Sequence, residues 1–251
     1  MERPRPRLSD VSSELVDFVI TTFDVDAEVL ARQLAPGLGA ERFTLQDGRA
    51  RAFVSAVSFL NTDFFVRFAP FVKLSCEQTN YRAYVKRGDA RAVWFFGTGL
   101  ASIFVNMPRH LWRLPWHRMH VERHSDWHDG ALRELSWHAR APGAEEKLLL
   151  RGPGRPLERL DGFDSLAHTH EVLTHPLVGY LRRRDERLVT YGVWHERLVM
   201  HLVDAVEARF EKFEALGLVQ PGQRPHSVLV QRSTHFDVHL PPVSLGDALA
   251  P

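Results

Sequence analysis

The chain has 251 residues, 44% hydrophobic and 25% charged, an ordinary balance for a globular protein with room for one large core. Lys and Arg number 32 against 31 Asp and Glu, and a formal charge of +1 gives no overall field that would call for nucleic acid or a membrane surface. Lys73, Lys86, Lys147 and Lys212 are the only lysines, so any amine chemistry must use one of these four.

Cys76 is the only cysteine, which excludes an intrachain disulfide and fits a reducing, cytoplasmic setting. The opening MERPRPRLSD has no apolar run behind its basic residues, so it does not read as a signal peptide, and no apolar stretch has the length of a membrane span.

Residues 1–13, rich in Arg and Pro, read as a flexible arm. β-Branched and aromatic residues from Glu14 to Val25 predict a strand, and Asp26 is placed to cap a short helix that Pro36 stops. Asp47-Gly48 predicts a turn into a long strand from Arg49 to Leu60. NTDFFVRFAPFV, 61–72, reads as an aromatic loop. Alternation then predicts a strand from Leu74 to Val85 and, after Gly88-Asp89, another over AVWFFGTG. Helical spacing runs from Leu100 to about Trp112, and β-like text resumes after Pro115 around a turn at Asp129-Gly130.

Residues 141–162 carry Gly, Pro and charge and read as a surface loop. A helix is predicted near Asp164–Leu173, strands near 188–195 and 199–208, a short helix ending at Gly217, and a last strand over 226–240. No repeat and no linker is visible, and β and α do not alternate as in a doubly wound sheet. The reading is one β-rich α+β domain over residues 14–243, with a C-terminal tail at 244–251.

Candidate chemistry is sparse. His117, His120, His124 and His128 lie close together, and His168/His170 and His235/His239 are spaced to share strand faces, but there is no HExxH and no Cys cluster, so no metal is expected. Nucleophile elbows, phosphate loops and dinucleotide fingerprints are absent as well, and no cofactor is expected. On the strand CEQTNYRAYV, Glu77, Thr79, Tyr81 and Ala83 share one face while Gln78, Asn80, Arg82 and Tyr84 share the other. Residue type alone favours an exposed Glu77, because a buried carboxylate needs partners. Arg109 and Arg113 are four apart on the predicted helix, which suits either a carboxylate-holding cleft or a solvated face.

The order of features from Glu77 to Val121 resembles the DUF2071, or YqjF-like, branch of the acetoacetate decarboxylase-like superfamily. That branch carries a strand of roughly E-x-N-x-R-x-Y-V, a V-x-F-F strand, a helix bearing an Arg, and L-P. Here these are Glu77, Arg82, Tyr84 and Val85; Val93, Phe95 and Phe96; Arg109; and Leu114-Pro115. Asn80 fits the pattern only loosely. The C-terminal part, through VWHERL to Pro241-Pro242, is also similar.

The resemblance implies a closed, cone-like β-barrel with a central cavity and a few short outer helices. In the decarboxylases the helix runs into Tyr-Pro-Lys-Lys, whose first lysine forms a Schiff base with the keto acid. This chain has Trp116 and His117 at those two places, and residues 100–130 contain no lysine, so that mechanism is not expected.

What the resemblance leaves is a cavity for a small organic carboxylate or carbonyl compound. Glu77 and His117 are the expected acid–base pair, and Arg109, Trp116, Arg82 and Tyr84 the expected substrate-binding residues. The expected partner is a small molecule, with a homo-oligomer compatible and neither nucleic acid nor membrane foreseen. A non-catalytic binding or sensor protein is the alternative. A partner-binding role would rest on Phe64, Phe65, Phe68 and Phe71.

Overall fold

The structure is a computed structural model and describes residues 3–245. In chain order it runs β1 (Val11–Asp26), α1 (Ala27–Ala31), the short β2 (Gly39–Ala40) and β3 (Phe43–Thr44), β4 (Ala50–Val66), β5 (Leu74–Arg87) and β6 (Ala90–Leu100). A 3-10 turn at Ile103–Val105 leads into α2 (Asn106–Leu111), followed by β7 (Trp116–Arg118), β8 (His120–His128), β9 (Ala131–Ala141), β10 (Ala144–Arg151) and β11 (Arg155–Pro156). Then come α3 (Leu166–Thr169), a π turn at His170–Thr174, β12 (Val178–Arg182), β13 (Leu188–His195), β14 (His201–Leu202), β15 (Ala205–Phe210), α4 (Glu211–Ala215), β16 (Ser227–Val238) and β17 (Val243–Ser244).

The β-rich expectation holds. In the large sheet the strands follow the order β16, β1, β4, β5, β6, β12, β13. β13 then pairs with β16 through Val193–Val238, Trp194–Asp237 and His195–Phe236, so the hydrogen-bonded path returns to its first strand. β8, β9, β10 and β15 form a second, antiparallel sheet. Its Leu135, Trp137 and Leu148 pack with Tyr81 and Trp94 of the large sheet and Phe213 of α4. The second sheet therefore covers the outer face of β5 and β6.

Local signals explain the ends of the elements. Asp26 accepts hydrogen bonds from the Glu28 and Val29 amides, capping α1 as its position in the sequence suggests. Gly217, at φ 67°, ends α4 in the left-handed conformation that glycine tolerates best.

Several boundaries differ from the sequence reading, among them the strand expected at 199–208, which is split into β14 and β15. β4 continues to Val66, so half of the expected aromatic loop is strand, held by pairing with β1 and β5. The expected surface loop at 141–162 contains β10, where Glu146, Leu148 and Leu150 point inward and Glu145 and Lys147 outward; the charges concealed a period of two. β12 was not foreseen. The boundary at residue 13 falls inside β1, and Arg3 reaches Asp237 at 2.6 Å. Of the expected tail, Ser244 is in β17 and pairs with Val189; residues 246–251 lie outside the described residues.

Candidate functional site

The strand period of two divides β5 between two environments. Gln78, Asn80 and Arg82 face a cavity of about 140 Å³ inside the ring of strands, walled by Phe18, Phe59, Phe95, Trp116, Tyr191 and Phe236 among others. Thr79 and Tyr81 face the second sheet.

The approach of β7 to β6 decides what the Leu114-Pro115 step delivers to each side. β7 runs parallel to β6, with Trp116 beside Thr98 and His117 beside Gly99. Two glycines make room for it. A Cβ on Gly97, which sits at φ 150°, would lie 3.0 Å from the Pro115 carbonyl oxygen, and one on Gly99 would lie 2.6 Å from the Met119 sulfur. Trp116 is thereby turned into the cavity, and His117 to the opposite face, where its ring stacks near Tyr81 at 6.2 Å.

The cavity wall carries an ordered polar row across four strands. Ser13 donates to Asn61, Asn61 to Gln78 at 3.1 Å, Gln78 to Asn80 at 2.9 Å, and Thr98 to Asn80 at 2.8 Å. Beyond Asn80 lies Arg82, the only residue with a formal charge among the described residues of the wall. Its Nη2 donates to the Leu173 carbonyl at 2.8 Å and to the Tyr84 hydroxyl at 3.2 Å, and its guanidinium lies 5.3 Å from the Tyr84 ring centroid. No carboxylate pairs with it among the described residues, and its Nε is buried without an acceptor. A half-buried guanidinium with no carboxylate partner is a place where an anion can be held.

His195 lines the same cavity. Its Nδ1 lies 2.7 Å from the Glu196 carbonyl, which assigns the proton to Nδ1 and leaves Nε2 as an acceptor. Burial, with help from nearby His175 and Arg82, pulls its pKa down to about 4, so the ring is neutral at physiological pH.

The residues expected from sequence separate accordingly. Trp116 and Arg82 line the cavity. Tyr84 lies behind Arg82, its hydroxyl 2.8 Å from Ser55, and supports the guanidinium without lining the space. Glu77, Arg109 and His117 are not among the lining residues. Glu77 belongs to the outward row of Thr79, and His117 is two strands across from that row, so their backbones are on the order of 10 Å apart. Arg109 sits on α2, close enough to His117 for its charge, with that of Lys212 and the larger effect of burial, to lower the imidazole pKa.

His195, Asn80 and Gln78 went unassigned from sequence. Gln78 and Asn80 were legible as companions of Arg82 on one strand face. His195 had no signal, since nothing in VWHERL marks which end of β13 meets β16.

Outside the cavity, the second sheet supplies another buried polar group. Glu146 accepts hydrogen bonds from Thr79 at 2.8 Å, from Trp137 Nε1 at 3.1 Å and from the Tyr81 hydroxyl. Burial raises its pKa, and the three donors oppose that rise. No cluster of three or more His, Cys, Asp or Glu suited to a metal occurs among the described residues. None of the four lysines lines the cavity.

The DUF2071 family, described as an uncharacterized conserved protein, matches residues 12–235. No curated protein matches the chain. Solved structures of similar fold include the enduracididine biosynthesis enzyme MppR complexed with the condensation product of pyruvate and imidazole 4-carboxaldehyde (14% identity, TM-score 0.61, covering 98% of this chain and 91% of that one). An acetoacetate decarboxylase-like enzyme from Sphingomonas wittichii RW1 matches at 10% identity and TM-score 0.62, over 96% of this chain and 94% of its own. The acetoacetate decarboxylase of Legionella pneumophila matches at 13% identity and TM-score 0.59, over 100% and 94%. At these identities the likeness is one of fold, and with the family match it makes this chain a DUF2071 protein with an acetoacetate decarboxylase-like fold.

Proposed function

We propose that the ring of strands acts as a closed barrel and that its cavity binds a small organic carboxylate, with Arg82 as the anchor. The observation that carries this reading is the unpaired Arg82 guanidinium, alone in charge in an aromatic wall. Asn80, two residues away on the same face, adds an amide donor, and Trp116 supplies a flat apolar surface. A cavity of about 140 Å³ suits a compact molecule, about the size of benzene or somewhat larger. MppR, a structure of similar fold, is also described complexed with pyruvate, a carboxylate of that size.

Schiff-base chemistry is not part of the proposal, because no lysine reaches this space. Acid–base work by Glu77 and His117 has no support from their placement outside the cavity. A second reading, a lyase-like proton transfer, rests instead on His195. Its Nε2, open beside Arg82, can accept a proton from a carbon next to a carbonyl once a bound carboxylate offsets the burial that makes the ring a weak base. A single cysteine leaves no intrachain disulfide to form, in keeping with the cytoplasmic setting proposed here.

The test is a thermal-shift series with small keto, hydroxy and aromatic acids on wild type and Arg82→Met. A ligand supplied at about 100 times its dissociation constant stabilises the fold by about 2.7 kcal/mol. The proposal expects a shift with at least one acid that disappears in the variant. Equal shifts in both proteins, or none with any acid, overturn it.

A further inference from the structure

Most of the exposed large apolar residues gather in one place. Antiparallel pairing puts the start of β5, the end of β6 and the end of β4 at one end of the ring. Phe68, Phe71 and Val72 protrude from the loop between β4 and β5, with Phe71 84% exposed. The 3-10 turn and α2 follow β6 at the same end, and Ile103, Phe104, Met107 and Leu111 are exposed there. Leu8 joins them, since its carbonyl accepts from the Phe68 amide. Phe64 and Trp112, which flank these segments in sequence, both line the cavity, so the apolar end surrounds one end of that space.

The charge left unpaired around this end is positive. Residues 64–76 and 101–121 contain no Asp or Glu. Arg5, Arg7 and Arg118 are exposed there and engage in no ion pair among the described residues, while Lys73 pairs with Asp63 and Arg113 with Asp185. The overall charge of +1 conceals this asymmetry.

We infer that this apolar, cation-rimmed end of the ring docks on an anionic lipid surface. A second copy of the chain would bring like-charged rims together, with Asp63 and Asp185 already engaged by Lys73 and Arg113, and symmetric pairing is disfavoured. A bilayer interface offers what both features require, an apolar layer for the protruding Phe and Leu side chains and anionic headgroups for the arginines. The anionic face of a cell membrane is the cytoplasmic one, in keeping with the compartment proposed above. This inference stands apart from the ligand reading, as it uses none of the cavity's polar groups.

The experiment is co-sedimentation of the full chain with vesicles of phosphatidylcholine alone and with about one-third phosphatidylglycerol added, at low salt and at about 0.5 M salt. Wild type should pellet with the anionic vesicles, several-fold less at high salt. Phe71→Ser/Leu111→Ser should lose most of that binding, and Arg118→Ser about fivefold. Val199→Ser, an exposed apolar residue away from this end, and Arg82→Met, in the cavity, should both bind as wild type does. No pelleting, or equal pelleting of the double variant, overturns the inference. So does a wild-type mass of two chains in solution that falls to one in the double variant, which would assign this end to self-association.

Discussion

On its outer face β5 presents Thr79 and Tyr81, whose hydroxyls both donate to Glu146. On its inner face the same strand presents Gln78, Asn80 and Arg82 to a cavity. The outer arrangement is closed, with every donor meeting the carboxylate. The inner one is open, with a guanidinium held by a carbonyl and a phenol but paired with no carboxylate among the described residues. Two residue sets interleaved on one strand thus serve different ends. A satisfied buried network joins two sheets, whereas an unsatisfied one at a cavity points to a ligand.

The largest effect should come from the closed face. Glu146→Ala leaves Tyr81 and Trp137 as buried donors without an acceptor and Thr79 with only the Ser58 hydroxyl, and should cost about 3–5 kcal/mol of folding stability by urea denaturation. A loss under about 1 kcal/mol would break the contrast, because the outer network would then be no better satisfied than the inner.

Acid should act on the open face. His195 has a folded pKa of about 4 against an ordinary 6.5, so the folded state favours the neutral ring. Its contribution is fully present above about pH 6.5 and is lost as pH falls toward 4, to a limit of about 3 kcal/mol. Stability measured across that window in wild type and His195→Gln should show a shallower acid slope in the variant. Parallel slopes would remove His195 from the account.

Arg82→Met sharpens the comparison further. On the proposed function, the guanidinium without a carboxylate partner would serve a ligand at a cost to the fold. The variant should bind any carboxylate hit at least 30-fold more weakly by calorimetry, a loss of about 2 kcal/mol, yet unfold at an equal or higher temperature. Lower stability together with unchanged affinity would make Arg82 a structural residue. The smallest effects belong to Glu77→Gln and His117→Ala. Both lie off the cavity and should leave ligand affinity within about twofold of wild type.

Much of this was legible in the sequence. Period-two alternation identified β5 and separated Arg82 from Glu77, the order of motifs gave the family, and the missing lysine after Leu114-Pro115 excluded an imine. The helical spacing that leads into Leu114-Pro115 and the aromatic run at 64–71 were visible too, but not their common location.

What the sequence by itself determined is local: which residues alternate, where Asp26 and Gly217 end helices, and what stands at positions 116 and 117. Which strand face becomes the interior was decided by tertiary structure, because alternation defines two faces and not which of them is enclosed. Here the second sheet buries the Thr79 and Tyr81 side, leaving the Arg82 side to line the cavity. The pairing of β13 with β16 brought His195 to that cavity, and the antiparallel turns gathered Phe71 and Leu111 at one end. Such encounters join residues far apart in the chain, and their free energy comes from packing and hydrogen bonds that no local pattern encodes.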